Sequence, residues 1–500
     1  MKLLTAQQIH QWDAYTMEHE PVSSVDLMER AARQCTDWLL KNAKGYSAIK
    51  VFCGKGNNGG DGLAIARQLI NEGLSPMVYI LEFGAKGTDD FQTNLNRLHE
   101  LTTEIYFIQS DASFPELSEG DMIIDALFGS GLNRPLQDLS EALVNHINSA
   151  NAEVIAIDVP SGMFIDKSAV KNALIKAEAT LTFQATKLCF LMAENAAYFG
   201  KVYVLDIGLN STFPSTIETT HALCTPALIR TILQPRKAFS HKGTFGHALL
   251  IAGNHGKMGA AMLAAKACLR TGAGLLTCYL PEDTFPVLHT SLPEAMATPR
   301  TAMPDWNKYS TIGIGPGLGT ADDAIKLVQE TITHFKHPLV ADADALNIIS
   351  SGKLSLQQLP EGSVITPHPK EFDRLFGESS NDFERAEKAI KASKELSLVI
   401  LLKGHYSLIA KDGRGWFNTT GNPGMATGGT GDVLTGIITS LLAQKYAPLD
   451  ATIAGVYLHG LAADIALHYQ SEESLLPSDI IKCVGKAFKE ITLLHSSTEL

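Results

Sequence analysis

From Ile49 onward the chain repeats one theme: a short apolar β-branched run, a glycine or aspartate turn, then a stretch with helical spacing. The runs are IKVFCG, PMVYILEFG, DMIIDALFG and EVIAIDVPSG. Strands that alternate with helices do not pair as hairpins. They predict a parallel sheet covered on both faces, with polar residues gathered beyond the carboxyl ends of the strands. The rhythm breaks between Asn210 and Pro226, where STFPSTIETTHALCTP has no helical period. A second series then begins with HALLIAG and the helical AAMLAAKACLRTGAG, and continues through TIGIGPGLG, HPLVADADALN, GSVITPHPKEF and LVILLKG. At 500 residues the chain exceeds what one core organises. Two α/β domains are therefore expected, over residues 1–215 and 226–495, joined by a linker at 216–225. No internal repeat relates them.

Composition narrows the partners. Hydrophobic residues at 45%, charged residues at 19% and a mean hydropathy of +0.04 belong to an ordinary globular chain. The formal net charge of −12 disfavours a general binder of nucleic acid or anionic membrane, because either requires a cationic surface. The seven cysteines are scattered and never spaced C-x-x-C, which argues against both a disulfide framework and a zinc site. The amino terminus lacks the apolar core of a secretory signal, and the apolar stretch around Ala260 to Leu280 is interrupted by Lys266 and Arg270. The expected setting is the reduced cytoplasm.

The first glycine-rich segment, Gly54-Lys-Gly56-Asn-Asn-Gly59, satisfies G-x-G-x-x-G after a predicted strand, with Glu82 near the end of the next strand. Alone it fits a dinucleotide-binding domain. The pattern is permissive, however, and the loop is read as running on through Asn57-Asn58-Gly59-Gly60-Asp61-Gly62. Two amides and a carboxylate among glycines suggest side chains that coordinate or react. A plain glycine turn is the alternative.

GNNGGDG, then DALFGSGLNRP at Asp125 to Pro135, then DVPSG at Asp158 to Gly162 resemble the three ordered signatures of the NAD(P)H-hydrate epimerase family, implying a Rossmann-like three-layer α/β/α domain. The resemblance implies that Asn57, Asn58, Gly59, Gly60 and Asp61 bind the hydrate, that Gly129, Ser130, Gly131, Leu132, Asn133, Arg134 and Pro135 wrap it, and that Asp158 contacts it. It also implies that Asn58, Asp125 and Ser161 supply oxygen ligands to K⁺, a donor set that suits a hard cation. Epimerising a carbon that bears a hydroxyl requires a proton to be given and taken, and Asp158 first and Asp61 second are the expected carriers. Capping a helix or closing a loop is the structural alternative for either aspartate. Lys187, in FQATKLCF, falls where the resemblance places a basic residue near the site, although a lone lysine is most often solvated.

In the second half, Asn422-Pro-Gly-Met-Ala-Thr-Gly-Gly-Thr-Gly-Asp432 runs into the apolar VLTGIITSLLA. A glycine turn entering an apolar helix offers free amides and a positive dipole end to an anion. Asp432 lies at the helix mouth, beside where a phosphoryl or hydroxyl group would react. This G-T-G-D turn resembles the ribokinase-like fold, in which the aspartate is the catalytic base. HKGTFGHALLIAGNHGKMGAA from His241, GIGPGLG from Gly313, DADALN from Asp342, TPHPKEF from Thr366 and LKGHYS from Leu402 narrow the resemblance to the ADP-dependent NAD(P)H-hydrate dehydratases. It implies that Ala260, Gly317, His368 and Asp432 contact the hydrate, and that Lys403, Gly404, His405, Tyr406, Ser407 and Gly431 hold the adenine nucleotide. Ser407 stands where that family usually shows Thr, which keeps the hydroxyl.

Together the halves resemble bifunctional repair enzymes for hydrated NADH and NADPH. The implied activity epimerises the R and S hydrates and dehydrates the S form with ADP as co-substrate, giving AMP and phosphate. K⁺ in the first domain, Mg²⁺ in the second and a homo-oligomer come with the resemblance. Two other readings remain open: a ribokinase-like vitamin kinase fused to a Rossmann domain, and an N-terminal binding module that lacks chemistry.

Overall fold

The computed structural model describes residues 1–42, 45–82, 84 and 86–493, so the boundary expected at 495 lies outside the described residues. The chain divides into two compact units. One comprises Lys2–Thr219 with Asn381–Phe383, the other Met1 with Thr220–Ser380 and Glu384–Leu500. Among the described residues no helix is long and apolar enough to cross a membrane, and all seven cysteines are buried and unpaired.

The N-terminal unit contains a seven-stranded sheet in the spatial order Ile105–Ile108, Met77–Leu81, Ala48–Cys53, Asp121–Ala126, Glu153–Ile157, Ala179–Phe183, Lys201–Leu205. Every neighbouring pair is parallel. Side chains alternate across it. Val51, Cys53, Ile80, Ile124 and Ile155 pack with the helices Ser24–Asn42, Asn57–Asn71 and Asp89–His99. Phe52, Leu81, Ile123 and Ala156 pack on the other face with Leu143, Val144 and Ile147 of the helix Asp138–Ser149. This two-sided burial is why the strands read as unbroken apolar runs. The chain first builds outward from Ala48–Cys53 and then returns to place Asp121–Ala126 on its other side. The crevice between those two strand ends is where a doubly wound sheet binds ligands.

In the C-terminal unit the strands Val399–Leu402, Val364–Ile365, Val340–Ala341, Thr311–Ile314, His247–Ile251, Leu275–Leu280 and Met296–Pro299 lie side by side and parallel. Leu408–Lys411 and Arg414–Phe417 extend the sheet antiparallel. His221–Leu223, inside the segment expected to be a linker, joins the Arg414–Phe417 edge in parallel. The helix Thr430–Ala443 is buried along nearly its whole length and lies against Met258–Thr271. Gly436 permits that approach, because a β-carbon there would overlap the Ala264 carbonyl.

Candidate active sites

The segment expected to be an extended glycine loop is helical from Asn57 onward: Gly56 is the N-cap and the helix runs Asn57–Asn71. Close packing explains the glycines. A β-carbon at Gly59 would overlap the Gly54 carbonyl, one at Gly60 would sit 2.8 Å from Met28 Sδ, and one at Gly62 would sit 2.6 Å from Ala126 Cβ. The helix thereby presses its N-terminus against the strand ends and presents Asn57, Asn58 and Asp61 to a cavity of about 530 Å³. Gly59→Ala is expected to cost about 3 kcal/mol, because the obstruction is backbone. Thermal unfolding of the N-terminal unit would register this as a lower midpoint.

Gly129, Ser130, Gly131, Leu132, Asp158 and Lys187 line the same cavity. Asn133, Arg134 and Pro135 are exposed and are not part of its wall. Asp158 adopts a φ of +68°, uncommon for a residue with a side chain. Its Oδ1 lies 2.8 Å from Lys187 Nζ, and its Oδ2 accepts from the Ser130 N–H at 2.8 Å. Burial pushes this carboxyl up, but the Lys187 ammonium and the Ser130 N–H outweigh it and hold Asp158 below the usual carboxylate range. Lys187 is fully buried and also donates to Thr182 Oγ1, so of the two sequence readings it is the basic residue beside the site, fixed as a counter-ion, and not a solvated lysine. Asp61 is the opposite case. Burial first, then the charges of Asp158, Asp13 and Asp90, drive its carboxyl well above the usual range.

Asp125 and Ser161 lie at adjacent strand ends. Asp125 accepts from Ser161 N at 2.8 Å and from Ser161 Oγ at 2.6 Å. Burial raises its carboxyl to about 6 despite these bonds. Both polar atoms of the Asn58 amide are buried and lack a hydrogen-bond partner, which is costly unless a ligand completes them. Oxygen donors with one orphaned carbonyl fit a hard cation. Glu82, weighed from sequence as a ribose ligand, forms an ion pair with Lys55 at 2.6 Å. Asp13 also lines the cavity and was not legible as a site residue from any motif.

In the C-terminal unit, a cavity of about 580 Å³ is lined by Lys403, Gly404, His405, Ser407 and Gly431 among others. Tyr406 is not in its wall; its ring packs against His405, with centroids 4.4 Å apart. Ser407 Oγ bonds back to the Gly404 carbonyl at 3.1 Å and shapes the turn. Lys403 Nζ reaches Asp342 Oδ1 at 2.8 Å, and Thr435 Oγ1 donates to Asp342 Oδ2 at 2.7 Å. Asp342, which lies behind Lys403 and outside the cavity wall, and three polar groups of the wall were not assigned a role from sequence. Those three, Asn422 Oδ1, Thr430 Oγ1 and His459 Nε2, are buried without partners and so are available to a ligand.

Asp432 lies in the first turn of Thr430–Ala443. Burial, then the negative charge of Asp342, raises its carboxyl to about 6 against the pull of Lys403. Ala260 and Gly317 are neighbours: a β-carbon at Gly317, whose φ is +62°, would sit 3.0 Å from Ala260 Cβ. His368 caps the helix Pro369–Phe376, its Nδ1 accepting from the Glu371 N–H at 3.4 Å, while its ring also borders the cavity. Burial lowers this imidazole against the opposing charge of Glu371.

Two α/β units, each gathering titratable groups at the carboxyl ends of parallel strands, define an enzyme with two sites. Residues 24–189 match the family described as YjeF-related protein N-terminus, and residues 248–486 match that described as NAD(P)H-hydrate dehydratase. The bifunctional NAD(P)H-hydrate repair enzyme of Moorella thermoacetica is 35% identical over 96% of this chain and 95% of its own length. Its counterpart in Coxiella burnetii is 36% identical over 92% and 94%. A solved ribokinase-like superfamily protein from Enterococcus faecalis superposes with a TM-score of 0.51 at 31% identity, covering 55% of this chain and 98% of its own. The chain belongs to the family of bifunctional NAD(P)H-hydrate repair enzymes.

Proposed function

We propose that the N-terminal unit interconverts the R and S hydrates of NADH and NADPH, and that the C-terminal unit dehydrates the S hydrate using ADP. Residues 1–215 are assigned to the epimerase and 226–495 to the dehydratase, with 216–225 between them. The single observation that carries this reading is the pairing of two cavities, one around Asp158–Lys187 and one walled by Gly431 at the start of the helix that carries Asp432, in a chain related over 96% of its length to a bifunctional repair enzyme.

In the epimerase, protonating the ring hydroxyl lets the carbon–oxygen bond break as water leaves and the ring-nitrogen lone pair fills in. Water then returns to the opposite face and loses a proton to a carboxylate. Asp61, whose carboxyl burial and neighbouring acids push upward, suits the donor role. Asp158, held ionised by Lys187, suits the acceptor role and stabilises the cationic ring. Asn57, Asn58, Gly59, Gly60 and residues 129–132 are assigned to the hydrate, and family resemblance alone extends the set to Asn133, Arg134 and Pro135. Asn58, Asp125 and Ser161 are assigned to K⁺, which would supply a fixed positive charge beside the substrate. Exchanging K⁺ for a large organic cation is expected to abolish epimerisation and spare dehydration, read by chromatography of the two hydrates.

In the dehydratase, Asp432 takes the proton of the ring hydroxyl, whose oxygen attacks the terminal phosphorus of ADP and releases AMP. The ring-nitrogen lone pair then expels phosphate, and loss of a proton from the adjacent carbon restores the dihydropyridine. The amide at Gly431 and the helix dipole stabilise phosphoryl charge. Lys403, Gly404, His405, Tyr406 and Ser407 are assigned to the nucleotide, and Ala260, Gly317 and His368 to the hydrate. Asp342 and Asp344 add negative charge beside Asp432, although Asp342 is paired with Lys403 and Asp344 with Lys257. Mg²⁺ would supply charge neutralisation at the phosphates. Family resemblance is what supports a homo-oligomer and a cytoplasmic setting.

The test follows near-ultraviolet absorbance as the protein meets separate R and S hydrates with ADP and Mg²⁺, beside Asp432→Ala. Recovery of dihydropyridine from both hydrates, lost in the variant, is the expected result. Recovery from S alone reduces the N-terminal unit to a binder. A stable phosphorylated product, with no dihydropyridine recovered, turns the reading to a small-molecule kinase.

A further inference from the structure

Three carboxylates, Asp13, Asp61 and Asp158, line the N-terminal cavity, and Lys187 is committed to Asp158 at 2.8 Å. Among the described residues neither Asp13 nor Asp61 has an ion-pair partner. The unpartnered Asn58 amide, 8% exposed, borders the same space, so the cluster lies in a cavity prepared for a polar ligand.

The three acids differ in their access to water. Asp61 and Asp158 are buried, whereas Asp13, on the helix Ala6–His19, is partly exposed. Epimerisation leaves a donor that has lost its proton and an acceptor that has gained one, so each cycle must reset both. Asp13 interacts electrostatically with each of the two.

Resting on the epimerase reading above, we propose that Asp13 is a third proton-carrying residue of that site, returning the proton from Asp158 to Asp61 and exchanging it with solvent between turnovers. The transfers balance: Asp158 passes a proton to the Asp13 carboxylate, and Asp13 delivers one to the Asp61 carboxylate. No oxidant or further reactant is involved. Burial first, then the charge of Asp158, raises the Asp13 carboxyl to about 7 against the opposing pull of Lys187, which suits a group that both binds and releases protons near neutrality. The charged groups facing it are Asp158, Lys187 and Asp61, with His10 on its own helix.

The experiment measures steady-state epimerisation of purified R hydrate by the full chain and by Asp13→Asn and Asp13→Glu, across a pH series and with increasing imidazole buffer. Asp13→Asn is expected to slow epimerisation about a hundredfold, to lose the inflection near neutral pH, and to regain rate with imidazole. Asp13→Glu should retain most of the activity, and dehydration of S hydrate should be unchanged in both. If Asp13→Asn keeps the wild-type rate and pH profile, or if its loss is insensitive to buffer and not rescued by Glu, the proposal is overturned while the epimerase reading stands. A wild-type chain that never interconverts the hydrates refutes the epimerase reading itself.

Discussion

Asp432→Asn is expected to lower the dehydration turnover number by about 10²- to 10⁴-fold while leaving epimerisation unchanged. The substitution preserves shape at the start of Thr430–Ala443 and removes only the capacity to take a proton, so the helix and its buried packing should survive. Single-turnover kinetics with S hydrate and ADP, beside circular dichroism of the variant, separates lost chemistry from lost folding. The wild-type pH profile follows from the same residue. A base acts only when deprotonated, and burial together with Asp342 raises this carboxyl to about 6. The dehydration rate should therefore fall on acidification below about pH 6, approaching tenfold per unit, and this limb should vanish in Asp432→Asn. A variant that retains the wild-type rate would remove Asp432 from the mechanism.

Lys187→Met carries the largest expected cost in stability. It leaves the Asp158 carboxyl buried, 9% exposed as a side chain, without its cation. Breaking a buried pair from one side typically costs about 3–5 kcal/mol, or roughly 10 °C in the midpoint of a domain of this size. The pH dependence has a definite sign. In the wild type the folded Asp158 is held below its unfolded value, so its contribution is present above about pH 4 and is lost as pH falls through the folded value. In the variant burial acts unopposed by Lys187, the acid is protonated on folding, and stability is lost as pH rises. The gap between the two proteins should be widest near neutrality and close on acidification. Denaturant melts of the N-terminal unit across pH measure it. An equal gap at every pH would mean that Lys187 acts through packing alone.

Several parts of both sites were legible before any tertiary information. The runs IKVFCG, DMIIDALFG and EVIAIDVPSG, which carry Gly54, Asp125 and Asp158, marked strand ends, and doubly wound topology brings such ends together. The G-T-G-D turn before VLTGIITSLLA announced a helix mouth. Asn57, Asn58 and Asp61, which line the cavity, stand in a segment misread as loop. Glycine density signals a turn unless a neighbouring backbone is near enough to require the missing β-carbon, and that neighbour, Gly54, is brought close only by the packed helix.

Asp13 had a readable signal of a different kind. Ile9, Trp12, Asp13, Thr16 and Met17 fall on one face of a helical period, and an acid on an apolar face invites a question that motif reading does not ask. Asp342 follows the two-residue strand Val340–Ala341; DADALN helped to carry the resemblance but assigned this aspartate no role.

By itself the sequence determined the alternation of strands and helices, the two-domain plan and the order of glycine-rich turns, because these follow from periodicity and local backbone preference. Only the tertiary structure decided which carboxylate is ionised and which holds a proton. Asp13, Asp61 and Asp158 are the same side chain with the same intrinsic acidity. What separates them is desolvation and the single ammonium of Lys187 placed 2.8 Å from one of them, and neither quantity exists until residues far apart in the chain are packed together.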